Sequence, residues 1–369
     1  MASVEKRADR EAAGYRVRYR APDGRQRTKT FTRKAAAQQF AAAIEADKAR
    51  GQFVDPSAGR QTFDAFSDEW ALAQDWKQTS RESWLYVRQR LLKVLGGQQL
   101  AAIDRLALQG AQRKLIESYA RSTVELTMSY AGAIMRAAHA SGRVGRDPTL
   151  GLRAPKARAG EADGRVGPDQ VPTRAEALAI LEGTPPRFRA AIALGLTGLR
   201  VGEVLGMSVD RLALDKRTVT VDRQMQRVGG ETVLTTPKAE KTRTIVVPML
   251  VAVELRRHVR DYLAPDGLLF HGARGAVLRR DQFYEAAWWP ALQGAGLAKD
   301  RFVFHSLRHF CASSLLAEGA PLAAVAGHLG DSVDTVSRTY VHWLRDDRDV
   351  PAAVLDRVLA PATAKEQAL

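Results

Sequence analysis

The apolar positions of this chain recur with different periods along its length. Near the start, Tyr15, Val17 and Tyr19 alternate with Arg16, Arg18 and Arg20, the period of two expected of a strand with unlike faces. Pro22-Asp23-Gly24 supplies turn chemistry, and a second strand follows with Arg25, Arg27 and Lys29 on one face. Thr32 is placed to cap an Ala-rich helix from Arg33 to about Arg50. Asp55-Pro56-Ser57-Ala58-Gly59 then reads as a linker. Beyond it the period lengthens to that of a helix. Phe63, Phe66 and Trp70 fall at i, i+3, i+7, and Trp84, Val87 and Leu91 repeat the spacing after a Thr79-Ser80 start. These stripes are expected to be core. Leu95-Gly96-Gly97 should end that helix, and two more follow at about 107–120 and 122–141, the last stopped by Asp147-Pro148.

A charged, Gly- and Ala-rich stretch at 157–170 has no apolar period and reads as an exposed linker. Thr173-Arg174-Ala175-Glu176 then forms a capping box, opening helical patterns that reach about Gly206. At 217–248 the period returns to two, which predicts a small antiparallel sheet. The remainder to Leu359 is mostly helical. The expected fold is therefore mainly α with small antiparallel β-sheets (α+β). It divides into a β-hairpin/helix module at 1–60, a helical domain at 61–165, and a mixed helical domain with a small sheet at 170–369.

Composition narrows the partners. The chain has 369 residues and a formal net charge of +15, of which +7 lies in residues 1–60. That basicity is the footprint of a nucleic-acid binder. A β-ribbon carrying Arg16, Arg18, Arg20, Arg25, Arg27 and Lys29 is suited to a DNA groove. One cysteine, Cys311, allows no internal disulfide, and no apolar run approaches the length of a membrane span. The first twenty residues contain no apolar stretch of the secretory kind, so a cytoplasmic location is expected.

Four segments place polar groups in apolar helical surroundings. Arg200 lies three residues before Glu203, so the carboxylate can orient it on a shared helical face. Lys238 sits between two strand patterns, where a lysine can swing into a site, with Lys241 as its alternative. His305 and Arg308 share a face, and an imidazole beside a guanidinium suits acid/base work on a bound anion. Tyr340 can serve as a covalent nucleophile. His305 and His309 also have the spacing of two metal ligands. The Glu of HExxH is absent, however, and no further ligand cluster is evident, so no metal is expected.

In this order and spacing, the four segments resemble the tyrosine recombinase (phage-type integrase) family. Residues 94–103 and 137–148 look like its core-binding domain, and the first sixty residues look like the arm-binding domain of larger integrases. The resemblance implies a site-specific recombinase in which Tyr340 attacks a DNA phosphodiester to form a 3′-phosphotyrosyl bond. Arg200 and Arg308 would clamp the phosphate oxygens, and His305 would relay the tyrosine proton or support a charged oxygen. Lys238 would protonate the leaving 5′-oxygen, and Glu203 would orient Arg200. It implies no cofactor, attachment-site DNA of core and arm type as partner, a homotetramer on that DNA, and help from DNA-bending and excision factors. In the family the tail, here 350–359, docks on a neighbouring protomer. One position departs from the pattern. The family places Leu-Gly-His about nine residues before the tyrosine, where this chain has Leu329-Gly330-Asp331. Either Asp331 takes that position, protonated or bonded to another side chain, or His328 reaches in from the adjacent turn. Related chemistry without strand exchange, as in a type IB-like topoisomerase, is the alternative within the class. A catalytically idle DNA-binding regulator is the alternative outside it.

Overall fold

The computed structural model describes residues 2–7, 14–20, 24, 26–49, 58–153, 166–236, 242–272 and 275–340. It divides into two compact units, Met1–Ala159 and Gly160–Leu369. Residues 55–57 and 157–165 of the two predicted linkers, Arg25, Lys238, Lys241 and the tail at 350–359 lie outside the described residues.

The first unit contains two separate apolar cores. One belongs to a three-stranded antiparallel sheet, β1 (Ser3–Arg7), β2 (Gly14–Arg20) and β3 (Gln26–Phe31), covered by α1 (Lys34–Ala49). The expected hairpin and helix are present. The strand before them was not expected, because Ser3–Arg7 offers a single apolar residue, Val4. Val17 and Tyr19 are buried against Ala37, Ala41 and Ile44 of the helix, as their alternation predicts.

The register corrects one expectation. Residues directly opposite in an antiparallel ladder point to the same face. Val17 pairs with Lys29 and Tyr19 with Arg27, so these two cations share the helix-covered face. The Lys29 ammonium lies 4.6 Å from the Phe40 ring centre, a cation–π position. Arg16 and Arg18 pair with Thr30 and Thr28, and Arg7 pairs with Gly14. The open face therefore carries Arg7, Arg16, Arg18 and Arg20, with Glu5 among them. The two basic rows do not form one face.

The second core is a four-helix assembly of α2 (Phe63–Leu72), α3 (Gln78–Leu95), α4 (Arg105–Ser118) and α5 (Arg121–Ala140). Phe63, Phe66, Trp84, Val87 and Leu91 are buried in it as the spacing predicts. Trp70, Trp76, Trp84 and Tyr130 form an aromatic cluster with ring centres 5.4–6.3 Å apart. Helix α3 ends at Leu95 as expected, but α5 ends at Ala140, before Asp147-Pro148. Asp147 instead accepts hydrogen bonds from the backbone N–H and hydroxyl of Thr149, at 2.8 and 2.7 Å.

The second unit opens on α6 (Arg174–Glu182), closed by the predicted box. The Glu176 N–H donates to Thr173 Oγ1 at 3.2 Å, and the Thr173 N–H donates to Glu176 Oε2 at 2.7 Å. Next come α7 (Arg189–Leu196) and α8 (Val201–Leu205). The β-patterned stretch forms two sheets, not one. Strands β4 (Leu212–Ala213), β5 (Thr218–Val221) and β8 (Arg243–Val246) make the first, and the hairpin β6 (Gln224–Val228) with β7 (Glu231–Thr235) makes the second. Helix α9 (Met249–Tyr262) follows, then α10 (Arg280–Phe283), a π-helical turn and α11 (Trp289–Gly294). The last three among the described residues are α12 (Ser306–Ala317), α13 (Leu322–Leu329) and α14 (Val333–Tyr340). The large core of this unit holds Leu194, Val204, Phe304 and Leu307, the apolar neighbours of the polar segments.

Candidate functional site

The site lies wholly within the second unit. Arg200 is the residue at which extended backbone turns into α8 (φ −71°, ψ 150°), so its own N–H is an orphan donor of the helix start. Glu203, one turn on, accepts that N–H at 2.9 Å and the Arg200 side chain at 3.1 Å. The predicted pairing is therefore present. The same carboxylate is also gripped from the sheet. Arg243 on β8 donates to both Glu203 oxygens, at 3.0 and 2.9 Å. Glu203 is buried, and burial alone would raise its pKa. The hydrogen bonds and charge of Arg243, with help from Arg200, outweigh that and hold it below the usual range.

Arg308 comes from the first turns of α12 and is buried. Its guanidinium donates to the Gly198 carbonyl at 2.6 Å, the Leu329 carbonyl at 2.9 Å and Asp331 Oδ2 at 2.5 Å. Gly198 must be glycine. Its φ is +86°, and a Cβ there would meet Leu329 Cδ2 at 2.5 Å. Asp331 reaches Arg308 because α13 ends on Gly330 in the left-handed conformation (φ +71°). The Asp331 N–H then donates back to the Ala326 carbonyl at 3.0 Å. The other oxygen of Asp331 accepts a short hydrogen bond from Arg200. One carboxylate thus spans two guanidiniums drawn from different helices. Burial would raise its pKa, but the charges and hydrogen bonds of Arg308 and Arg200 keep it below the usual carboxylate range. Asp331 is accordingly ionised and bonded to other side chains. His328 faces elsewhere: its Nε2 lies 2.9 Å from the Thr197 carbonyl.

His305 starts α12 and lines a cleft of about 960 Å³ together with Arg200, Arg227, Arg279, Arg280 and Trp289. The residue is exposed. Desolvation by the surrounding protein, and the charges of Arg308 and Arg200, lower its pKa to about 4. The residue that touches the Tyr340 hydroxyl is not His305 but His309, whose Nδ1 lies 2.7 Å from it. The His305 and His309 rings meet edge to face, with centres 4.7 Å apart. Burial, His305 and Arg308 bring the His309 pKa down to about 4, and burial pushes the Tyr340 hydroxyl up to about 12. Both are neutral at pH 7.

The arrangement is therefore a cluster of three guanidiniums and two carboxylates beside a neutral phenol–imidazole pair. Arg200 is its open member: 36% of its side chain is exposed, against 2% for Arg308 and 10% for Arg243. Forked donors on a shared anion suit an oxyanion such as a phosphodiester. Arg243 and the Tyr340 contact of His309 went unrecognised in the sequence. Arg243 was not singled out, and His309 was weighed only as a metal ligand.

Comparison with known proteins bears on this site. The profile of the phage integrase family matches residues 169–346, and that of the phage integrase central domain matches 63–155. A tyrosine recombinase XerC from Mesorhizobium japonicum is 33% identical over 152 residues, which is 39% of this chain and 42% of that protein. The match thus spans about two fifths of the length of that curated relative. Among solved structures, an integrase of the Tn1549 transposon in complex with circular intermediate DNA has a TM-score of 0.68. It is 16% identical and covers 80% of this chain and 99% of its own. A lambda integrase tetramer bound to a Holliday junction has a TM-score of 0.59 at 18% identity, covering 90% and 95%. These two likenesses establish the fold.

Proposed function

Because the chain belongs to the phage integrase family of tyrosine recombinases, we propose that it is a site-specific DNA recombinase working through a 3′-phosphotyrosyl intermediate at Tyr340. The observation that carries this reading is the bridged pair Arg200–Asp331–Arg308 in electrostatic reach of the Tyr340 hydroxyl. An attacked phosphodiester gathers charge on its non-bridging oxygens, and preorganised guanidiniums stabilise that charge without reorganising. Arg200, the exposed member, meets the phosphate first, and Arg308 completes the clamp. His305, in the cleft beside Arg200, supports the charged oxygens. Lys238 supplies the proton to the leaving 5′-hydroxyl. No cofactor takes part, since the bond energy is kept in the protein–DNA link. Four protomers on two duplexes would exchange strands in the cytoplasm, integrating or excising a mobile element, with DNA-bending and excision factors assisting.

The first sixty residues would bind arm-type sites separately. Arg16, Arg18 and Arg20 on the open sheet face, joined by Arg7, suit the DNA backbone and groove. Arg27 and Lys29, on the face that α1 packs against, would add to the positive field.

The test uses nicked suicide duplexes with a randomised central segment, from which covalent adducts are selected. The wild-type protein should yield an SDS-resistant protein–DNA adduct of reproducible sequence, and Tyr340→Phe should yield none while still retarding DNA in a gel. No adduct from the wild type would end this reading. Sequence-indifferent relaxation of supercoils would point to a topoisomerase.

The bridge favours Asp331 over His328 at the position where the family has the histidine of Leu-Gly-His. His328 is committed to the Thr197 carbonyl, so His328→Ala should leave the cleavage rate on the selected duplex unchanged. Asp331→Ala removes the acceptor that sets the spacing of two mutually repelling cations. Misplacing catalytic groups by about 1 Å costs about 10²-fold, and a loss of that order is expected in single-turnover cleavage.

A further inference from the structure

The phenol–imidazole pair has no role in the assignments above. Among the described residues, His309 is the one hydrogen-bond partner of the Tyr340 hydroxyl, at 2.7 Å. The pair is held from both sides. His309 lies on α12 one residue beyond Arg308, and Tyr340 ends α14 with its ring in the core formed by Cys311, Ala312, Leu329 and Val336. A neutral imidazole has one bare nitrogen, and in the Nε2–H tautomer that nitrogen is Nδ1, which then accepts from the Tyr340 hydroxyl. His305 cannot replace it, because its ring stands against His309 edge to face and lines the cleft with Arg200.

We infer that His309, not His305, is the base that receives the proton of Tyr340 during strand cleavage. This rests on the recombinase reading above and assigns its missing proton acceptor. In the step, the Tyr340 Oη–H bond breaks and the proton passes to His309 Nδ1. A lone pair of Oη forms the bond to phosphorus, the bond from phosphorus to the 5′-oxygen breaks, and that oxygen takes its proton from the general acid, the role proposed above for Lys238. In rejoining, the departing phenolate recovers its proton from His309. The imidazolium formed in between sits near Arg308 and His305, and the negative charge gathering on the phosphate offsets that repulsion. Proton acceptance is therefore coupled to the presence of DNA, and the free protein keeps its nucleophile protonated.

The experiment measures single-turnover cleavage of the duplex selected with the wild-type protein. Removing a general base slows a reaction by about 10²–10⁴-fold, and His309→Ala should fall in that range while binding the duplex as before. His309→Gln, which keeps the size and a hydrogen-bond acceptor, serves as a second variant should the alanine protein lose its melting transition, and should also be slow. Two chemical substitutions separate proton acceptance from a packing role. Difluorotyrosine at position 340, whose phenol ionises more readily, should restore much of the rate to the His309 variants. A 5′-bridging phosphorothiolate, whose leaving group needs no proton, should not. A wild-type rate in both variants, or rescue by the phosphorothiolate, would overturn the inference while leaving the recombinase intact. Absence of any wild-type adduct would instead remove the reading on which it rests.

Discussion

Arg308→Ala is expected to abolish measurable strand cleavage and to lower the melting temperature of the second unit. The two effects share one cause. The guanidinium is buried and divided among the Gly198 carbonyl, the Leu329 carbonyl and Asp331. Removing it strands those acceptors, at about 1–3 kcal/mol for each one left buried and unsatisfied. It also frees Asp331, leaving a carboxylate with Arg200 as its sole cation where a phosphate must come. Loss of one preorganised donor to a developing oxyanion costs about 10²–10³ in rate, and the uncompensated carboxylate adds to it. Arg308→Lys separates the two effects. A single ammonium keeps the charge but cannot present two forked ends to carbonyls on α13 and on the turn before α8. The lysine protein should regain much of the lost thermal stability and little of the cleavage rate. Equal recovery of both would mean that Arg308 acts by charge alone.

The parts of this fold and site that were legible in the sequence are those written in local spacing. Thr173 and Glu176, or Arg200 and Glu203, lie three residues apart, and the helical period brings them together without any knowledge of the fold. The aromatic stripes of α2 and α3 were legible for the same reason. Illegible were the pairs that tertiary structure alone creates. Arg243 is forty residues from Glu203, and His309 is thirty-one from Tyr340. The facing of Arg27 and Lys29 failed for a related reason. Alternation shows that a strand has two faces, but which face the helix covers depends on register, and a slip of one residue reverses every side chain. The departure from the family pattern at Asp331 was visible in the sequence. Its meaning was not, because a carboxylate beside a phosphate looks repulsive until both neighbouring guanidiniums are in place.

Glu203→Gln should be the most destabilising single-atom exchange in the second unit. Glu203 is 1% exposed and Arg243 10%, and the two form a forked ion pair. Removing one member of a buried pair costs about 3–5 kcal/mol, because the other charge stays behind without a partner. The glutamine amide worsens matters by turning a donor toward the guanidinium. Replacing both residues with apolar groups of similar size, as in Glu203→Leu with Arg243→Met, should recover part of the loss, and the non-additivity of the cycle measures the coupling. The acid limb supplies a second check. The carboxylate titrates lower in the folded protein than its ordinary value of 4.5, so its stabilisation is complete above that value and is lost as pH falls toward the folded pKa. The wild-type protein should therefore lose stability over this acidic range, and the glutamine variant should follow a flatter profile there. Since Glu203 also holds the Arg200 backbone and side chain, the glutamine protein should cleave DNA slowly even at temperatures where it is fully folded. A normal rate under those conditions would show that Arg200 is positioned by Asp331 alone.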